Sequence, residues 1–274
     1  MPHNELNNLR DQAHRFLLEA DRPVETSQIA RQLFGPQRHE MPEAQVVVRS
    51  LLGGDPRFLR THCRRWSARW APFLQQDVGD TAFAVVDLET TGSLIGVDEI
   101  MEVGLVRVEG GKVGEVFSTR LTTSRGIPPW VSRLTGISQA DLADAPELAE
   151  MGRRIVELLE GAIFVAHDIR FDLPFLRWAL TQHDLPFPCR SGVCTLQLSR
   201  ALWPDLPSHS LSELASSLSL THDQPHCAGD DALATAGVLQ KALVSSRELG
   251  RTTLGELMEL EAETSRAARR SAES

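Results

Sequence analysis

The feature that most limits how this chain can fold is a pair of carboxylates set into an apolar run. Phe83–Leu88 reads FAVVDL, and Glu89-Thr90-Thr91-Gly92 follows it directly. A short apolar segment rich in β-branched residues and bounded by polar turns forms a buried strand. In extended backbone, side chains i and i+2 share a face, so Asp87 and Glu89 converge. Two such carboxylates repel, and no lysine or arginine stands beside them in the segment. A divalent cation that prefers oxygen ligands, magnesium or manganese, is the simplest neutraliser. The alternative is that one acid caps a turn while the other stands in water. Thr90-Thr91-Gly92 lets the backbone turn tightly and approach a ligand.

Two later segments place acids where helices begin. In Val165–Leu176 (VAHDIRFDLPFL) a buried strand stops, the chain turns, and Asp172 stands at the start of a helix whose inner face is Phe175, Leu176 and Ala179. In His226–Thr235 (HCAGDDALAT) Asp231 opens a helix with Leu233, Ala236 and Leu239 inside, and His226 precedes it on the incoming loop. Either aspartate alone would serve as an ordinary helix cap.

Around these segments the pattern is that of an α/β domain. Ile100–Val108 and Val113–Leu121 read as a hairpin turning at Gly110-Gly111. Ile163–Ala166 reads as a further buried strand. Helical patterns run over Ala145–Leu159, Asp172–Thr181, Thr195–Leu202, Leu211–Leu218 and Asp230–Val244. A three-strand meander followed by alternating helices and strands predicts a mixed sheet covered by helices.

The first 76 residues differ in kind. They hold 11 arginines against 8 acids, net +3, whereas the rest of the chain is net −12. A basic head on an acidic body predicts two modules, the head being the better suited to an anionic polymer. Leu6, Leu9, Ala13, Phe16 and Leu17 form one helical stripe. Thr26 or Ser27 caps a second helix carrying Ile29, Leu33 and Phe34, and Pro42 opens a third with Val47, Leu51 and Leu52 inward. Asp55–Trp70 reads as a hairpin. Three short helices and a hairpin resemble the small winged-helix modules of bacterial proteins, which implies either nucleic-acid contact or protein docking. Arg49 would lie on the third helix, and Arg57, Arg60, Arg64 and Arg65 on the wing. The expected divisions are 1–74 for this domain, 75–80 as a linker, 81–245 for the α/β domain and 246–274 as a helical or frayed tail.

No apolar run reaches the roughly 18 residues that span a bilayer, and the polar start shows no signal-peptide core. Four scattered cysteines (Cys63, Cys189, Cys194, Cys227) fit a reducing compartment, so a cytoplasmic protein is expected.

Taken in order, DLETTG, AHDIRFDLPFL and HCAGDDALAT resemble the three exonuclease motifs of the DEDDh family, which contains the proofreading epsilon subunit of bacterial DNA polymerase III. The resemblance runs from about Thr81 to Val244 and includes Ile127–Ser138 (IPPWVSRLTGIS). It implies an RNase H-like mixed sheet and a metal-dependent 3′-to-5′ exonuclease using two Mg2+ (or Mn2+). The implied substrate is a single-stranded or frayed 3′ end, DNA favoured, cut to 5′-mononucleotides in proofreading or repair. RNA trimming by the same chemistry and a catalytically silent binding module are the alternatives, and a polymerase or repair factor is a candidate partner. Matched position by position, Asp87, Glu89, Asp172 and Asp231 are the metal-binding acids and His226 the general base, a role suited to a side chain that exchanges protons near neutral pH. Thr90, Thr91, Gly92, His167, Asp168 and Phe171 are the implied substrate contacts, with Phe171, Phe175 or Trp178 as stacking platforms. Asp168 departs from the asparagine usual in the family, and Cys194 from the usual aspartate.

Two other chemistries share some of these signals. An aspartyl-phosphate phosphatase would use Asp87 as nucleophile and need a lysine, for which Lys112 is the sole candidate between the motifs. A zinc site would draw on Cys189-x4-Cys194 and His222-x3-His226.

Overall fold

A computed structural model describes residues 3–37, 42–61, 64–189 and 191–262; Cys63 and the tail beyond 262 lie outside these. The chain divides into two compact units, 1–76 with 253–255, and 77–252 with 256–274.

The first unit contains α1 (His3–Ala20), α2 (Thr26–Phe34), α3 (Pro42–Leu52) and the antiparallel strands β1 (Phe58–Arg60) and β2 (Trp66–Ala68). Val24 bridges to Trp66 beside them. Ala13, Leu17, Ile29, Ala30, Val48, Leu51, Leu52, Phe58 and Trp66 form its core. The inward stripe of α3 therefore runs through Val48 rather than Val47, which is 37% exposed. Neither Thr26 nor Ser27 caps α2: Glu25 is the N-cap, and Thr26 Oγ1 instead accepts the buried indole N–H of Trp66 at 3.2 Å. Two of the arginines expected on a wing are engaged within the unit. Arg57 pairs with Asp55 and Asp11 (2.7 and 2.6 Å), and Arg65 with Glu25 (2.9 Å). Arg60 lies over the Trp66 ring at 5.7 Å.

Of the stretch expected as a polar linker, 75–76 fall in the first unit and 77–80 in the second. Val78 is fully buried and donates its N–H to Thr252 O (2.8 Å), while Asp77 pairs with Arg247.

The second unit is built on five strands: β3 (Phe83–Thr90), β4 (Ile100–Glu109), β5 (Lys112–Arg120), β6 (Ile163–Ala166) and β7 (Gly192–Cys194), in the order β5-β4-β3-β6-β7. β5, β4 and β3 pair antiparallel, and β6 and β7 join parallel. Strand β7 carries no periodicity to announce it, being three residues long. The helices are α4 (Pro129–Thr135), α5 (Leu148–Leu159), α6 (Ile169–Gln182), α7 (Thr195–Leu202), α8 (Leu211–Ser217) and α9 (Ala228–Glu248). Phe83–Val86 in β3 and Ile163–Ala166 in β6 are buried throughout, as strands covered on both faces must be. At 254–262 the chain is again helical. In this unit Met258 accepts the Ser191 hydroxyl (3.6 Å) and Glu261 takes the Cys194 amide N–H beside β7.

Candidate active site

β3 delivers Asp87 and Glu89 to the same face at its C-terminal end, each half-buried. Across the antiparallel ladder Asp87 faces Gly104 and Glu89 faces Glu102. Gly104 is required there: a Cβ would lie 1.8 Å from the carbonyl oxygen of Ala228, so only a glycine lets the first turn of α9 press onto β4. Glu102 completes that seat by accepting the Ala228 N–H at 2.9 Å.

Asp172 and Asp231 are not helix caps. Each is the fourth residue of its helix, α6 starting at Ile169 and α9 at Ala228. Helical side chains tilt toward the N-terminus, so both carboxylates point back to the start of their helices. There the positive end of the helix dipole offsets part of their charge. Asp172 is buried and accepts the Leu88 N–H from β3 at 3.2 Å, which locks α6 against the strand carrying the first two acids. Both helices are entered through left-handed non-glycine residues, Asp168 (φ 66°) and His226 (φ 67°). Such geometry costs on the order of 1 kcal/mol and is held by the surrounding contacts.

Asp231 is held by two donors. His222 Nε2 lies 2.5 Å from Oδ1, and the His226 backbone N–H donates to Oδ2 at 3.2 Å. Side-chain ligand atoms of Glu89, His226 and Asp231 all lie within 4.8 Å of one another. Among the described residues, none of Asp87, Glu89, Asp172 and Asp231 forms an ion pair with lysine or arginine. The result is concentrated negative charge. Burial, then Asp172, Asp231, Glu89 and Glu102, pushes Asp87 well above the ordinary carboxylate range. Burial, then Asp231 and Glu102, pushes Glu89 up to about 8. Asp172 also rises on burial, against the opposing pull of its hydrogen bonds to backbone N–H groups. A site that binds protons this avidly is short of positive charge, and its carboxylate-rich donor set fits hard divalent cations.

The other residues singled out from sequence are placed as follows. Thr90 Oγ1 donates to Gly92 O (2.6 Å), and Thr91 Oγ1 accepts the Glu99 N–H (3.0 Å). Gly92 has no room for a side chain, since a Cβ would come within 2.4 Å of the Asp98 carboxylate, which in turn accepts the Leu94 N–H. These three residues shape the turn after β3. Both ring nitrogens of His167 are taken, by Thr195 Oγ1 (3.0 Å) and His209 O (2.9 Å), and burial lowers its pKa. Its geometry is that of a neutral tie between β6, α7 and the loop before α8. Asp168 is held by Arg170 through two 2.7 Å bonds, so its charge is matched locally and its pKa lowered. Phe171 is half-buried, 5.6 Å from the Phe175 ring. Phe175 is buried, and with Trp178, Asp98 and Gln182 it lines a cavity of about 520 Å3.

Two residues of the site were not legible as such. Glu102 is an acid in the middle of an apolar strand, a position that is itself a signal. His222 stood out only as half of a zinc-like pair. The zinc grouping does not form among the described residues: the buried thiol of Cys189 donates to Leu159 O (3.6 Å), and the single cluster of ligand atoms includes no cysteine. The phosphatase reading fails on distance. Lys112 pairs with Glu109, five residues along β4 from Gly104, or about 17 Å from Asp87 at the usual strand rise.

Residues 84–239 match the exonuclease family RNase_T. The chain is 35% identical over 180 residues to the 3′-5′ exonuclease DinG of Staphylococcus haemolyticus, covering 66% of this chain and 20% of that protein. It is 36% identical over 179 residues to DinG of Bacillus subtilis, covering 65% and 19%. The chain thus spans about a fifth of the length of these curated relatives. Among solved structures it is similar to Exonuclease X in complex with 5′ overhanging duplex DNA (TM-score 0.51, 25% identity, 65% of this chain and 99% of that one). Its fold also matches E. coli Exonuclease I bound to a dT13 oligonucleotide (TM-score 0.56, 20% identity, 62% and 43%). The mixed sheet flanked by helices is the RNase H-like arrangement of these neighbours.

Proposed function

Because this chain belongs to the RNase_T exonuclease family, whose members are metal-dependent, we propose that it removes nucleotides from the 3′ end of DNA, in repair or proofreading. The observation that carries this reading is the convergence of Asp87, Glu89, Asp172 and Asp231 without a basic partner, with His226 at the rim. The names of the DinG relatives support the 3′-to-5′ direction, and the overhanging duplex bound by Exonuclease X supports a DNA end as substrate.

In this proposal Asp87, Glu89, Asp172 and Asp231 would hold two magnesium or manganese ions. When bound, the ions neutralise the carboxylates and polarise the scissile phosphate. His226 is exposed and its backbone is anchored on Asp231, so its ring is free to meet solvent. It takes the proton of the attacking water as the new P–O bond forms and the P–O3′ bond breaks. The departing 3′ oxygen is protonated by solvent, and the products are a nucleoside 5′-monophosphate and a strand shorter by one unit.

The helices and hairpin of the first unit support reading it as a winged-helix module. With Arg57 and Arg65 engaged internally, phosphate contact there falls to Arg49, Arg60 and Arg64. Cys189, Cys194 and Cys227 stand as thiols, which supports a cytoplasmic setting. No described helix is long and apolar enough to cross a membrane.

The test is digestion of 3′- and 5′-labelled single-stranded DNA, duplex DNA and RNA with magnesium or manganese, beside an Asp87→Ala control. Stepwise shortening from the 3′ end that the control lacks is expected. Internal cuts, or no metal-dependent cleavage, would overturn the reading; faster degradation of RNA would reassign the substrate.

A further inference from the structure

The first unit holds a group of side chains that the chemistry of the second leaves unused. Phe16 on α1, Arg22 in the turn after it, and Gln28, Arg31 and Gln32 on α2 line, with Pro36, a cavity of about 420 Å3. Gln28, Arg31 and Gln32 stand at i, i+3 and i+4, so they share one face of α2. The helix buries Thr26, Ile29 and Ala30 instead.

The polar groups around this cavity are unspent. Arg22 and Arg31 are exposed and form no ion pair with any described residue, and the side chains of Gln28 and Gln32 form no hydrogen bond with one. No described acid lines the cavity. Of the three acids within three positions of Arg22, Asp21 accepts the Phe73 N–H (2.8 Å) and Glu25 pairs with Arg65 (2.9 Å). The third, Glu19, is exposed and forms no ion pair with any described residue. The turn that presents Arg22 is fixed: Pro23 and Val24 are buried, and Val24 exchanges two backbone hydrogen bonds with Trp66 (2.7 and 2.8 Å). A guanidinium on fixed backbone loses less freedom on binding than one on a loose loop.

Two guanidiniums and two carboxamides bordering one cavity suit a phosphate. Guanidinium N–H groups match phosphate oxygens in pairs, and the carboxamides can donate further hydrogen bonds. Phe16, half-buried, offers apolar surface to the sugar or base attached to that phosphate.

We propose that this cavity of the first unit binds a phosphate of a nucleic-acid strand, held by Arg22 and Arg31, at a place distinct from Arg49, Arg60 and Arg64. The choice of a polyanion rests on charge: residues 1–76 are net +3 in a chain that is otherwise net −12, so a strand is drawn to this unit. The choice of nucleic acid over an acidic protein rests on the exonuclease reading of the second unit.

The full chain, in excess chelator so that the bare acids repel DNA, is titrated into fluorescein-labelled oligothymidylate of about 20 nucleotides. Anisotropy is followed at several salt concentrations. Arg22→Ala/Arg31→Ala should weaken binding about 10-fold. It should also flatten the log–log salt dependence by about 0.7, the loss of one phosphate contact on a single strand. Gln28→Glu/Gln32→Glu keeps the shape of the cavity while adding charge of the wrong sign, and should weaken binding at least as much. Unchanged affinity in both variants, or no binding by the wild-type chain at low salt, would overturn the proposal. Loss of binding in Arg49→Ala/Arg60→Ala/Arg64→Ala alone would overturn it in favour of that other face. Inorganic phosphate and thymidine 5′-monophosphate are run as competitors, and displacement of the strand by either at micromolar concentration would overturn it in favour of a free phosphorylated ligand. Poly-glutamate binding that is lost in Arg22→Ala/Arg31→Ala while oligothymidylate binding stays intact would overturn it in favour of an acidic protein. The assay needs no cleavage. A chain that binds through this cavity yet never shortens DNA would support the site while overturning the exonuclease reading.

Discussion

Nε2 of His222 lies 2.5 Å from Oδ1 of Asp231, and the His222 side chain is only 6% exposed. Buried beside a carboxylate, the imidazole N–H donates to it and sets the direction in which the remaining lone pairs point. His222→Ala should therefore lower the affinity for the activating metal about 10- to 100-fold, the usual cost of removing a supporting hydrogen bond. His222→Gln, which retains an N–H donor, should restore part of it. Titration of the dependence of cleavage on magnesium, together with calorimetric binding of manganese, reads this directly; equal metal affinity in His222→Ala would remove the positioning role.

His226 should behave differently. Its side chain is exposed and only its backbone supports Asp231, so His226→Ala leaves that backbone donor in place. The turnover rate should fall about 100-fold or more, as expected for loss of a general base, with metal affinity nearly unchanged. A variant that cleaves at the wild-type rate would exclude this histidine from proton transfer.

Without metal, the acids destabilise one another. Glu89 rises from an ordinary 4.5 to about 8 in the fold, and Asp87 and Asp172 rise too. The native state therefore holds more protons than the unfolded state above pH 4.5. Stability from these groups is full below that point and is lost as pH climbs toward about 8. The melting temperature of metal-free protein should fall over this interval, and saturating magnesium should flatten the profile. A metal-free profile flat across the interval would contradict the clustering.

By the same logic, Asp87→Asn should abolish cleavage yet raise the melting temperature of metal-free protein at neutral or higher pH, because it removes one charge from the group. A shift of a few degrees is expected for about 1 kcal/mol. Differential scanning fluorimetry with and without a chelator checks it; a lower melting temperature would show that Asp87 is neutral or locally matched.

Gly104→Ala tests how α9 is seated. The added methyl would meet the Ala228 carbonyl 1.8 Å away, so the helix start must retreat from β4 and carry Asp231 with it. A destabilisation of about 3 kcal/mol is expected from overpacking of this severity. Cleavage should fall further than stability alone explains. Normal melting and normal activity would mean that α9 does not depend on this contact.

How much of this was readable in advance depends on whether the cause was local. The strand FAVVDLET, with its two acids on one face, is legible because extended backbone alternates its side chains and nothing distant can change that parity. Asp172, Asp231 and His226 were found through ordered motifs, but their setting was not. Both aspartates could have been caps; each sits one turn inside its helix because Asp168 and His226 adopt left-handed backbone just upstream. The stripe of α3 was displaced by one residue, Val48 for Val47, because neighbouring valines fit a helical period almost equally and only packing chooses between them. The wing arginines looked available for phosphate until Asp11, Asp55 and Glu25 were brought beside Arg57 and Arg65.

By itself, then, the order of residues indicated the longer strands and helices and the acids to look for, though neither the three-residue β7 nor the short α4, since the former follow from side-chain parity, helical period and residue chemistry within short windows. Tertiary structure alone decided which acids share a charge cluster, that Glu102 seats a helix and that His222 braces Asp231. It also decided that His167 and Asp168 are matched by protein partners. Those facts depend on contacts between segments far apart in the chain, where packing and desolvation choose the partner and no local pattern records the choice.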